Sequence, residues 1–160
     1  MYTVTPTWTT TRHAAATAIA PAATERRHAA AGGQARVWGL PHRPQSASAA
    51  RRITRATLTR WDLDEDTIDQ ALLVVSELVT NAVEHALPPV ALHIERPARG
   101  DSVHIEVDDG GPAPVEGAWT TSCAPEEHGR GNALVAALAT DHGIRELPDG
   151  LAHWADLATA

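Results

Sequence analysis

The strongest constraint on the fold lies just before Pro88-Pro89. Leu72, Val75, Val79, Ala82, Val83 and Ala86 recur there at helical spacing, and the two prolines end the run. Asp66 or Thr67 can cap the start, so the pattern predicts a helix running to about His85. A long helix with one apolar stripe has to lay that stripe on another element. The segments that follow supply one. Val90-Ala-Leu-His-Ile94 and Val103-His-Ile-Glu-Val107 alternate in strand fashion, and the turn-like Pro97-Ala-Arg-Gly-Asp101 between them predicts a hairpin.

The same reading extends in both directions. Arg36 to Leu40 reads as a short strand, Pro41 and Pro44 force a turn, and Ser46 can cap a helix to about Trp61 with Ile53, Thr57 and Trp61 on one side. Asp62 to Asp66 is an acidic connection. Residues 109–131 hold five Gly and three Pro and show no apolar period, the composition of a long lid-like loop. Asn132 to Asp141 then reads as helix, and residues 143–147 and 151–157 as closing strands. This order predicts an α/β sandwich of the α+β class, with helices on one face of a mixed, mainly antiparallel sheet. No internal repeat is visible.

Residues 1–34 are rich in Ala and Thr and poor in large apolar side chains, so little offsets the entropy of ordering them. They read as a flexible tail ahead of one domain at 35–158. No apolar run approaches the ~20 residues that cross a bilayer, and the N-terminal residues show no apolar leader, so a cytoplasmic protein away from membranes is the expectation. The single Cys123 cannot form an internal disulfide.

Composition also removes functions. All 13 basic residues are Arg, so mechanisms that need a lysine, including the phosphate-loop Lys and the Schiff base, are excluded. Beyond residue 34 the chain carries 10 Arg against 19 acidic residues, a poor surface for nucleic acid.

Three patterns carry chemistry. Opposite the apolar stripe, Glu77, Asn81, Glu84 and His85 form a polar stripe at i, i+4, i+7 and i+8. Glu77 could act as a base or align a hydroxyl, and the Asn81 amide oxygen can ligate Mg2+; an isolated Glu-x-x-x-Asn is more often a solvated face. The alternation of Val103, Ile105 and Val107 sets Asp109 at a strand end, followed by Gly110-Gly111. A carboxylate there can accept a hydrogen bond from an exocyclic amine such as that of adenine, and Gly111 allows close approach to a ring, although Asp-Gly is also a common turn. Finally, His128-Gly129-Arg130-Gly131 leads into a helix, whose free N–H groups and dipole favour phosphate, with Arg130 adding charge.

Each pattern is weak alone; their order supplies metal, adenine and phosphate groups in turn. The set resembles the Bergerat ATP site shared by gyrase, the large heat-shock chaperones and histidine kinases. Ser76-Glu-Leu-Val-Thr-Asn-Ala-Val-Glu-His-Ala86 and Gly129-Arg-Gly-Asn-Ala-Leu-Val-Ala-Ala-Leu-Ala139 are most similar to the standalone anti-sigma serine kinases. The resemblance implies that Glu77 is the catalytic base and Asn81 the Mg2+ ligand. It implies that Asp109 is the adenine contact, that Gly111, Gly129 and Gly131 shape the pocket, and that His85 and Arg130 join the nucleotide contacts. It further implies ATP and Mg2+ as cofactors, a sigma factor and a serine-phosphorylated antagonist protein as partners, and a possible homodimer. Three positions depart from the family pattern: Ala113 for a glycine, Asn132 for a leucine, and Asp149-Gly150-Leu151-Ala152 for Gly-Gly-Lys-Thr. Nucleotide binding tolerates these changes better than phosphoryl transfer, so a binding module that holds ATP without transferring phosphate stands as the alternative. A sensor histidine kinase fragment ranks last, because no long helical hairpin with a phosphoacceptor His precedes the domain.

Overall fold

The computed structural model describes the backbone of residues 24–28, 33–114 and 128–160, and the side chains of residues 33–114 and 131–160. The elements are β1 (Thr24–His28), β2 (Gln34–Leu40), α1 (Ser46–Arg60), α2 (Glu65–His85), β3 (Val90–Arg96), β4 (Ser102–Asp109), α3 (His128–Leu138), β5 (Asp141–Leu147) and β6 (Gly150–Ala158). The strands form one sheet in the order β1-β2-β3-β4-β6-β5. Every pairing in it is antiparallel, which carries the expected mainly antiparallel sheet to a wholly antiparallel one. The reason is visible in the register: the two-helix connection returns the chain to the end of β2 that it left, so that Leu40 pairs with Val90 at the start of β3. β1 falls within the segment expected to be a tail, its backbone pairing along β2.

Helices cover one face of the sheet. Leu92, Ile94, Val103, Ile105, Val107, Ala155 and Leu157 point to that face and are fully buried, meeting Val74, Val75, Val79, Ala82 and Val83 of α2. Each such Leu, Ile or Val contributes ~1.5–3 kcal/mol by leaving water. The buried stripe of α2 is wider than its sequence period predicts, adding Ile68, Ala71, Val74 and Leu78, because α1 and α3 flank α2 while the sheet lies beneath it. Leu72, expected in the core, is only partly buried at its edge.

The helix ends differ from expectation in instructive ways. The cap of α2 is Asp64, not Asp66 or Thr67. Its carboxylate accepts the Thr67 amide at 2.8 Å and the Thr67 hydroxyl at 2.6 Å, which leaves Glu65 and Asp66 in the first turn, where the helix dipole favours them. α3 starts at His128 and stops at Leu138, earlier at both ends than the predicted 132–141. Its last residues are claimed by the sheet: the Thr140 amide donates to Asp156 O at 2.8 Å, and Asp141 pairs with Asp156. The predicted lid reaches into residues 115–127, which lie outside the described residues. Among the described residues no helix is long and apolar enough to cross a membrane.

Candidate functional site

Main-chain hydrogen bonds stitch the C-terminal end of α2 to the loop that follows β4. The Gly110 amide donates to Leu87 O at 2.6 Å, the Leu87 amide to Gly111 O at 2.8 Å, and the Ala113 amide to His85 O at 2.9 Å. The His42 ring, from the connection between β2 and α1, also holds this end of α2, its Nε2 lying 2.8 Å from Ala86 O. Glycine is required for this clamp at two positions. A Cβ on Gly110 would lie 2.8 Å from Leu87 O and closer still to Pro88 O, and one on Gly150 would strike the Asp109 carbonyl. Gly111 holds φ at 86°, a left-handed value that costs glycine nothing.

The clamp brings α2 and the end of β4 around one cleft of about 300 Å³. Asn81, His85 and Ala86 line it from α2, Asp109 from β4, Pro112 from the loop and Asn132 from α3, while Ile144, Leu151 and His153 close it from β5 and β6. Asp109 ends the row of sheet residues that faces the helices and is 5% exposed. Its Oδ1 accepts the Gly111 amide at 2.7 Å. Its Oδ2 stands 3.4 Å from His153 Nε2, longer than a normal hydrogen bond. A buried carboxylate fixed through one oxygen is a directional acceptor for an N–H group entering the cleft.

Asn81, His85 and Asp109, predicted from sequence, therefore meet in one cleft, with Gly111 bound to Asp109. Glu77 lies one turn of α2 away, and its carboxylate packs directly on Gly131 of α3; it is not among the residues that line the cleft. Gly129, Arg130 and Gly131 fall inside the first turn of α3 instead of the loop before it. The first four N–H groups of a helix have no acceptor within it, so this backbone keeps its capacity for an anion. The Arg130 side chain lies outside the described residues.

Sequence reasoning missed His153 and Ile144. The alternation of β6 placed His153 on one face, but only its pairing with β4 shows that this face meets Asp109: Asp109 pairs with Leu151, and His153 follows on the same side. Leu151 and Asn132, noted in sequence only as departures from a family pattern, are part of the cleft wall.

A family model for the histidine kinase-like ATPase domain, HATPase_c_2, matches residues 40–153. No curated protein matches the chain. Among solved structures, the crystal structure of the RsbU and RsbW domains of Rv1364c from Mycobacterium tuberculosis is similar, with a TM-score of 0.61 at 21% identity. The match covers 78% of this chain and 32% of that one, so this chain spans about a third of that protein's length. At this identity the likeness speaks for the fold: an antiparallel sheet with helices on one face.

Proposed function

Since the chain belongs to the histidine kinase-like ATPase domain family, we propose that it binds ATP with Mg2+ in the cleft between α2 and β4 and acts as a serine/threonine kinase and anti-sigma factor in a partner-switching system. The observation that carries this reading is Asp109: buried, fixed by the Gly111 amide, and lining the same cleft as Asn81. Such a carboxylate fits the exocyclic amine of adenine, and Gly111, lacking a side chain, fits close approach of the ring. The Asn81 amide oxygen would anchor the hydrated Mg2+, with His85 alongside. The first-turn amides at Gly129 and Gly131, with Arg130, would take the phosphates. Bound ATP supplies the phosphoryl group. Glu77, against Gly131 where α3 begins, would align a serine hydroxyl and accept its proton. A sigma factor and a serine-bearing antagonist protein are the partners that this reading names.

Two observations favour a second reading, a module that binds nucleotide and a regulator without transferring phosphate. Glu77 stands outside the cleft lining, and Leu151 is an apolar wall where the family pattern has Lys and Thr nearby. Glu77→Gln separates the two, because glutamine keeps the shape but cannot take a proton. Wild type and variant would be incubated with labelled ATP and Mg2+ and with partners recovered from the native cell, and incorporation into serine measured beside ATP affinity. The kinase reading expects transfer by wild type, its loss in the variant and equal ATP affinity in both. A wild type that binds ATP and a partner but transfers nothing supports the second reading and rejects the first.

A further inference from the structure

The sheet face turned away from the helices carries chemistry that the nucleotide cleft does not use. Strand alternation puts Glu106 and Asp108 of β4 on this face, and the register sets His93 of β3 directly opposite Glu106. One ligand atom from each of His93, Glu106 and Asp108 lies within 4.8 Å of the others. His93 Nε2 is 2.8 Å from Asp108 Oδ2, and His104 Nε2 is 3.7 Å from Glu106 Oε2. We propose that His93, Glu106 and Asp108 form a binding site for a divalent transition-metal cation of the Zn2+ class, with water completing the coordination.

Three independent features support a cation here. Asp108 Oδ1 is buried with no hydrogen-bond partner, a cost that a metal bond would remove. The cluster is rich in carboxylates: among the described residues, Glu106, Asp108 and Asp156 gather around the Arg145 guanidinium, with His93 on Asp108 and His104 on Asp156. The donor set of imidazole and carboxylates in close contact suits a small tetrahedral ion, whose ligands sit at ~2.0–2.2 Å, better than it suits Mg2+, which keeps several waters.

Arg145 grips both oxygens of Glu106 at 2.7 and 2.8 Å. The Arg145 side chain is itself 57% exposed, and an exposed guanidinium can swing into water at small cost. Arg145 thus stands in for the cation and yields to it. The site lies across the sheet from the nucleotide cleft, since consecutive Asp108 and Asp109 point to opposite faces.

The test uses the full, nucleotide-free chain with Zn2+ in calorimetry and Co2+ as a spectroscopic probe. Wild type should bind one equivalent and develop the visible absorption of low-coordinate Co2+. His93→Ala and the near-isosteric Asp108→Asn should each weaken binding by about tenfold or more and lose the band. Arg145→Gln, which releases Glu106, should tighten binding, and His142→Ala, at an exposed histidine of β5, should leave it unchanged. Circular dichroism and urea midpoints establish that each variant is folded, and Asp108→Asn serves if His93→Ala does not fold. No band in wild type, or a band equally strong in the His93 and Asp108 variants, overturns the proposal.

Discussion

Glu77 of α2 and Gly131 of α3 touch: a Cβ at position 131 would overlap the Glu77 carboxylate, with Glu77 Cδ only 3.2 Å away. Hydrogen is the only side chain that leaves this carboxylate where it stands. The contact therefore couples the setting of a polar side chain on one helix to the absence of a side chain on the next.

Gly131→Ala should displace Glu77 without harming the fold. The atoms in the way are the far end of a flexible side chain, and alanine is favoured over glycine in a helix by ~1 kcal/mol. Urea unfolding should show unchanged or slightly raised stability. Phosphoryl transfer should fall steeply while ATP affinity changes little; equal transfer by variant and wild type would show that the contact has no catalytic consequence.

Asp109→Asn should weaken ATP binding by roughly 5- to 150-fold, the ~1–3 kcal/mol carried by a buried polar group left unsatisfied. The amide that replaces Oδ1 or Oδ2 must set a donor against either the Gly111 amide or the entering amine, since Asp109 is 5% exposed and already accepts from Gly111. Calorimetry on the folded variant measures this directly.

Asn81→Ala should remove most of the Mg2+ dependence of ATP binding. Titrations with and without Mg2+ should differ in wild type by about 10- to 100-fold, as expected for ~1.5–3 kcal/mol from one charge-assisted contact, and should converge in the variant. If the variant keeps the full metal dependence, Asn81 is a cleft residue without a metal role.

Gly110→Ala should damage the clamp itself. The new methyl meets the main-chain oxygens of Leu87 and Pro88, which cannot move without breaking the bonds that tie α2 to β4. A loss of about 1–3 kcal/mol in urea unfolding is expected, with ATP affinity falling in parallel because Asp109 and Asn81 separate. A variant as stable as wild type would show that the loop relaxes around the methyl group.

Much of this architecture was legible in sequence. The strands from β2 to β6 were expected, β3 and β4 from alternation, α1 and α2 from helical spacing, and the hairpin of β3 and β4 from its turn, because each depends on neighbours a few residues apart; β1, within the expected tail, was not. Helix ends were less legible. Asp64, Asp66 and Thr67 all have cap chemistry, and the choice of Asp64 follows from where the chain leaves α1: Asp62 takes a positive φ of 58° and the Leu63 amide returns to Leu58 O at 3.2 Å. The C-terminal end of α3 was misplaced because β6 draws Thr140 and Asp141 into the sheet, a preference no local propensity encodes.

For the site, the sequence by itself determined the chemical inventory: a carboxylate at a strand end, an amide and an imidazole one turn apart on a helix, glycines where a helix starts, and no lysine anywhere. Side-chain chemistry and i, i+4 spacing are local properties, so they can be read without a fold. Only the tertiary structure decided that Asn81, His85 and Asp109 share a cleft, that His153 stands beside Asp109, and that Glu77 turns to Gly131. Those relations depend on the β4–β6 register and on backbone bonds between Leu87 and Gly110-Gly111, which join residues more than twenty positions apart. The packing of the whole domain makes these contacts, and no window of the sequence contains both partners.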